Sequence, residues 1–177
     1  MDGHPGENWF PWLKGQLAEE GHDAIVPAFP HAGHPKLDEW LKRFRQHEPS
    51  VDANSIFVGH SLGAAFALRL LEKRTTPIRS AFLIAPVWGV MGNAYDPLMT
   101  TFTVSPYDWD TIKKNCGSFH VIQSDNDPYI RSTLAESLAK NLGVAITLIK
   151  GAGHFNTAAG YTTFPFLLER ITSSYPD

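Results

Sequence analysis

Three positions in this chain of 177 residues carry side chains whose types and surroundings could break an acyl bond. They are Ser61, His154 and an aspartate at 125 or 127. Ser61 lies in the run I-F-V-G-H-S-L-G, an apolar strand pattern followed directly by a helical one. A serine on such a strand-to-helix turn is forced into a strained, exposed position, and Gly59 and Gly63 on either side relieve the crowding. The helix that follows aims its N-terminal N–H groups and its dipole at the serine, which favours negative charge there. The Leu62 N–H then becomes a natural donor to the oxyanion formed when Ser61 attacks a carbonyl. G-x-S-x-G alone is a common pattern; its place at a strand-to-helix junction gives it meaning.

The acid stands in F-H-V-I-Q-S-D-N-D-P-Y-I, where Asp125 and Asp127 both follow a strand pattern. Either could be the buried carboxylate that holds an imidazole in one tautomer and stabilises its charged form. The other is then a turn-forming aspartate ahead of Pro128. His154 occupies a glycine-bearing loop, I-T-L-I-K-G-A-G-H-F, between a strand and the last helix. A lone loop histidine is ordinarily a solvated residue. Here serine, acid and histidine follow one another in the chain order of α/β hydrolases, which makes His154 the expected general base.

Other chemistry-bearing residues are weaker. His60 sits inside the turn and is expected to pack or hydrogen-bond beside it rather than react. His4, His31 and His34 lie in Gly/Pro-rich loops without a nearby carboxylate or cysteine pair, so no metal is expected. Cys116 is the single cysteine, which excludes an internal disulfide; no histidine stands beside it to make a thiol nucleophile. Lys42, Arg43 and Arg45 read as a solvated helix face. The aromatic-rich stretch 88–109 is too long for a plain connection and reads either as a short cap over a pocket or as ordinary packing. Trp88 and Met91 within it, with Phe155 next to His154, are the expected substrate contacts.

These residues need a frame, and the elements alternate to supply one. Strand patterns cover 23–29 (weakened by Pro27), 55–58, 81–86, 119–123 and 145–149. Helical patterns carry Trp9, Trp12, Leu13 and Leu17 up to Gly21, and Leu37, Trp40, Leu41 and Phe44. Further helices are expected over 62–74, 107–115, 132–141 and 162–173. Alternation with uninterrupted apolar strands implies an α/β domain, a mostly parallel sheet with helices on both faces, spanning 1–177. In such sheets the chemistry gathers at the carboxyl ends of the strands. With 43% hydrophobic and 19% charged residues and a net charge of -3, the chain reads as folded and without a nucleic-acid footprint. No apolar run is long enough to span a bilayer and no signal-peptide core stands at the start, so a cytoplasmic protein is expected.

The segment N-W-F-P-W-L-K-G-Q-L, the turn G-H-S-L-G-A-A, the loop S-D-N-D-P-Y-I and G-H-F closely resemble the small YdeN-like serine hydrolases. That group also contains the retinoblastoma-binding-protein-nine type, and the resemblance runs over nearly the whole chain. It implies a compact α/β-hydrolase fold without a large lid domain, no cofactor, and a small-molecule ester or amide as substrate. By the match to the family loop the acid is Asp127, directly before Pro128, with Ser61 as nucleophile and His154 as base. One departure stands out. Relatives open with a short strand and a His-Gly loop ahead of the tryptophan-containing helix, whereas this chain reads M-D-G-H-P-G-E-N-W. In the family that strand lies between the strand matching 23–29 and the one carrying Ser61, and its loop supplies the second oxyanion donor, near Met1 or Asp2 in this numbering. The departure points to an N-terminally incomplete chain or a translation start assigned too late. The alternative is a form that folds differently, a weakly active or inactive interaction protein on a hydrolase scaffold.

Overall fold

The computed structural model describes residues 3–30 and 33–175. One parallel sheet runs in the order β1 (Ile56–His60), β2 (Ile78–Ile84), β3 (Cys116–Ser124) and β4 (Ile146–Ile149). Parallel neighbours need crossover connections, and each here carries helix. α1 (Phe10–Glu19) and α2 (Leu37–Phe44) precede the sheet, and α3 (Leu62–Lys73) joins β1 to β2. α4 (Asp96–Thr103) and α5 (Trp109–Lys114) lie between β2 and β3, α6 (Ser132–Leu142) between β3 and β4, and α7 (Pro165–Thr172) follows.

Side chains alternate across the sheet and divide the core in two. Phe82 and Ile84 of β2, with Ile122 of β3, pack with Trp9 just before α1, Leu13 and Leu17 of α1, and Leu167 and Ile171 of α7. Ala81 and Leu83, with Val121, face the other way onto Leu68 and Leu71 of α3, Ile112 of α5 and Leu138 of α6. Helices therefore cover both faces, as the uninterrupted apolar strands require.

The expected elements are present with shifted ends, except one. β2 and β3 each begin three residues before their sequence patterns, because Ile78 and Cys116 already pair across the ladder. The helix over 107–115 is shorter, since Asp108 turns outward and accepts the Thr111 N–H as an N-cap. α4 lies inside the aromatic-rich stretch, where the sequence reading placed no helix; its opening Asp96 accepts N–H bonds from Met91, Gly92 and Asn93. The exception is 23–29, expected as a strand. It forms no strand and pairs with no neighbour in the sheet. Pro27 lacks a donor, but the larger reason is that β1, paired among the described residues with β2 alone, stands at the sheet edge. Val58 of β1 and Ile25 of the 23–29 segment are both exposed, and both border one long cavity.

The stretch 88–109 is tied down by one buried cation. Arg69 of α3 donates from Nε to the Phe102 carbonyl and from its terminal nitrogens to the carbonyls of Ser105 and Pro106. Glu72 pairs with it at 2.9 Å and also accepts the Asp108 N–H, while Tyr107 lies flat beneath the guanidinium at 3.6 Å. A buried charge is tolerated only when paired and fully hydrogen-bonded, and this one is. Arg69→Ala leaves the Glu72 carboxylate without its cation and the Ser105 and Pro106 carbonyls without their donor, so it should lower unfolding free energy by about 3 kcal/mol, measured by urea titration. Arg69→Lys should not recover the loss, because an ammonium cannot present the planar fork.

Candidate active site

Ser61, Asp127 and His154 all stand just past the carboxyl ends of strands, on β1, β3 and β4 respectively. Ser61 is the residue between β1 and α3, with φ 55° and ψ -121°, a strained conformation for a non-glycine residue. Its backbone is held on both sides: the Ser61 N–H donates to the Ile84 carbonyl at 2.9 Å, and the Ser61 carbonyl accepts from Val87 at 3.1 Å. The sharp turn brings α3 down on the strand. A Cβ placed on Gly59 would stand 2.6 Å from the Gly63 carbonyl oxygen, so only glycine fits. Gly63, expected to share that duty, is different: a Cβ there would meet nothing within 4 Å. Leu62 opens α3, and the N–H of a first helical residue has no intrahelical acceptor.

The acid and histidine loops are joined by four bonds from four consecutive side chains. Asp125 Oδ1 accepts the Gly151 N–H at 2.8 Å, Ser124 Oγ the Ala152 N–H at 3.0 Å, and Asn126 Oδ1 the Gly153 N–H at 2.8 Å. The fourth joins His154 Nδ1 to Asp127 Oδ2 at 2.8 Å, with the Asp127 side chain fully buried and that of His154 11% exposed. Asp127 Oδ1 accepts the N–H groups of Tyr129 and Ile130, so both carboxylate oxygens are satisfied. The carboxylate holds the proton on Nδ1 and turns Nε2 of His154 into an acceptor, the state a general base needs. Asp125, read from sequence as a turn former, is instead a strap between loops. This set of cross-loop acceptors is what sequence reading missed, and the signal was four polar side chains in a row, S-D-N-D.

Ser61 and His154 border one cavity of about 950 Å³. It is walled near them by Met91, Tyr95, Met99 and Tyr129 and runs along β1 past Phe57 to Tyr175. Of the three expected substrate contacts, Met91 lines this cavity. Trp88 does not: it packs against Tyr107 and Trp109 and donates its indole N–H to Leu134. Phe155 is wholly buried, stacked on Phe164, so it belongs to the core. Tyr129, with its ring 5.0 Å from that of His154, borders the cavity without having been anticipated. Met1 and Asp2, where a second oxyanion donor is expected, lie outside the described residues, as does His31. Among the described residues no group of three His, Cys, Asp or Glu side chains is placed to hold a metal ion. Cys116 starts β3 at the far end of the sheet, and burial pushes its thiol up to about 12, which keeps it from reacting.

A strained serine at a strand-to-helix turn and a carboxylate-held histidine, both at the carboxyl end of a parallel sheet, define an α/β hydrolase. A family model described as serine hydrolase matches residues 2–173, and this chain belongs to that family. It is 26% identical over 168 residues to the YdeN hydrolase of Bacillus subtilis, covering 95% of this chain and 88% of that protein. The serine hydrolase RBBP9 of Rattus norvegicus is 27% identical over 150 residues, covering 83% of this chain and 77% of that one. The crystal structure of the B. subtilis ydeN product superposes with a TM-score of 0.91 at 25% identity, covering 97% of this chain and 92% of that one. A YdeN-like hydrolase from Pectobacterium atrosepticum shares the fold, with a TM-score of 0.70 at 21% identity over 98% of this chain and 87% of that one.

Two measurements probe this geometry. Gly59→Ala should lower stability by about 1–3 kcal/mol through backbone overpacking, whereas Gly63→Ala should not destabilise in the same denaturant titration. The second concerns His60, whose imidazole is held down to about 4, chiefly by desolvation and then by the neighbouring His154, with the His154 carbonyl and Asp127 opposing. An unfolded chain protonates His60 near pH 6.5, which the native state resists until about pH 4. Native stability should therefore be intact above pH 6.5 and fall as pH drops through that window, by up to about 1.4 kcal/mol per pH unit from this group. His60→Gln should flatten that slope.

Proposed function

We propose that the chain hydrolyses a small carboxylic ester or amide through an acyl-enzyme, with Ser61 as nucleophile, His154 as base and Asp127 as the carboxylate that orients it. The observation that carries this reading is the 2.8 Å bond from His154 Nδ1 to a buried, fully satisfied Asp127 carboxylate, with His154 lining the same cavity as a serine held at φ 55°. His154 Nε2 takes the hydroxyl proton as Ser61 Oγ bonds to the substrate carbonyl carbon. Asp127 stabilises the imidazolium, and the Leu62 N–H at the head of α3 receives the developing oxyanion. His154 then gives its proton to the leaving alcohol or amine as that bond breaks. Water, deprotonated by His154, attacks the acyl carbon, and Ser61 Oγ recovers its proton as the acid departs. Met91, Tyr95 and Tyr129 line the cavity where the substrate would sit, and no step needs a cofactor. A cytoplasmic setting accompanies this reading, supported by a single buried cysteine; no described helix is long and apolar enough to cross a membrane.

The open edge of β1 favours a second reading, in which the chain is a weakly active or inactive interaction protein on the same scaffold. Among the described residues that strand is paired on one side only, which gives Ser61 less support, and an oxyanion held by a single donor costs about 10² or more in turnover. A fluorophosphonate probe separates the two. Folded protein should label covalently and Ser61→Ala should not; folded wild-type protein that fails to label would favour the second reading. Among the acids, Asp127→Asn should lower turnover of a small ester about 10³-fold or more by losing the imidazole's orientation. Asp125→Asn keeps an oxygen for the Gly151 N–H and should stay within about tenfold; the reverse order would overturn the assignment.

A further inference from the structure

The loop carrying His154 is gripped at its N–H groups by Ser124, Asp125 and Asn126, but those bonds end at Gly153. The backbone beyond it is strained, with Phe155 at φ 50°, and its N–H donates back to the Ala152 carbonyl at 3.1 Å. Two side chains hold the carbonyls on either side of Phe155 N–H and Cα, those of His154 and Phe155. Trp9 donates its indole N–H to the Phe155 carbonyl at 2.9 Å, and His60 Nε2 lies 2.7 Å from the His154 carbonyl oxygen. A carbonyl only accepts, so Nε2 of His60 carries the hydrogen. His60 is also the residue immediately before Ser61, on the same strand end. One hydrogen bond thus links the backbone of β1 beside the serine to the backbone of the loop that bears the histidine.

We propose that His60 is a positioning residue for the hydrolysis read above: its neutral imidazole, donating Nε2–H to the His154 carbonyl, sets where the His154 ring stands relative to Ser61. The inference rests on Ser61 and His154 being nucleophile and base. The serine comes from β1 and the histidine from the loop after β4, with two strands between them, so nothing in the sheet ladder fixes their distance directly. The His60 bond spans that gap. Its ring stands 4.8 Å from that of His154 and farther, at 6.0 Å, from the rings of Trp9 and Phe10. His154 and Asp127 are the ionisable groups that act on it, and burial outweighs the carboxylate. A neutral His60 matters for the charge as well as for the geometry. In the transition state His154 becomes an imidazolium, and a second cation at that distance would oppose it.

Gln and Met at position 60 test this as a matched pair, since both have the same length and only Gln donates an N–H. Turnover of p-nitrophenyl acetate and the rate of fluorophosphonate labelling would be followed across pH for each, with Ser61→Ala as reference and thermal unfolding checked throughout. His60→Gln should stay within about threefold of wild type, while His60→Met should lose about tenfold or more in kcat with KM nearly unchanged, the signature of misplaced reacting groups. Equal kcat for folded Gln and Met variants, or a loss confined to KM, would overturn the positioning role. Should either substitution unfold the chain, His60→Asn, which donates from a shorter side chain, must fall between wild type and a donor-free variant for the proposal to stand. Labelling that persists in Ser61→Ala would instead sink the reading of the nucleophile, an outcome distinct from any pattern at position 60.

Discussion

Parallel pairing of β3 with β4 is the constraint from which the acid and histidine derive their geometry. Ser124 and Ile149 are partners in the ladder, so the chains leaving the two strands emerge side by side in the same direction. Four polar residues leaving one strand can then meet the backbone leaving the other, and Ser124 through Asp127 do so one after another. Three of these bonds satisfy N–H groups of a loop that has no secondary structure to satisfy them. The fourth reaches a side chain instead of the backbone. Asp127 therefore holds an imidazole whose loop is already fixed by its three predecessors. Gly153 shows how close the fit is: it sits at φ 54°, and a Cβ there would stand 2.7 Å from Ala159.

Ser61 depends on a different device, the collision of strand and helix at the turn. Its strained φ is kept by a hydrogen bond on each side of the residue and by the close contact between Gly59 and the Gly63 carbonyl. The strain is an observed one, and it points the serine away from both flanking elements into the cavity. The same turn leaves the first N–H of α3 without an intrahelical acceptor beside the serine. Two local devices, unrelated in sequence, thus bring their products to one rim of the sheet.

Much of this was legible in the sequence because it rests on short-range rules. Strand followed by G-H-S-L-G and helix can fold locally in few ways, and apolar runs without alternation announce a sheet covered on both faces. The choice between Asp125 and Asp127 was not legible from spacing alone. Both follow the same strand, and only the placement of loops 124–127 and 151–154 distinguishes the strap from the imidazole partner. Side-chain direction also escaped. Phe155 adjoins His154, yet its φ of 50° turns the ring into the core; Trp88 follows a strand end but leans toward Tyr107 and Trp109. The 23–29 segment failed for a non-local reason, since a strand exists only where another accepts its hydrogen bonds.

That failure bears on the site, because β1, the strand that leads to Ser61, has one neighbour among the described residues. β3 has a partner on each side, and it carries the acid; β4, which carries the histidine loop, is tied to it by four cross-loop bonds beyond the ladder. Among the described residues β1 pairs with β2 alone, and its further ties are packing against α3 and side-chain contacts of Phe57 and His60. The arrangement is therefore unequal: the loops of Asp127 and His154 are joined by four bonds, and Ser61 follows a strand that is paired on one side only among the described residues. Along that edge the cavity wall offers alternate backbone N–H and C=O groups, which an apolar ligand would bury unpaired at a cost of about 1–3 kcal/mol each. Water or a hydrogen-bonding group suits that wall better than a hydrocarbon chain. Elsewhere the lining of the same cavity is apolar, with Met91, Met99 and Tyr129 among its side chains, so its two stretches differ in the chemistry they present.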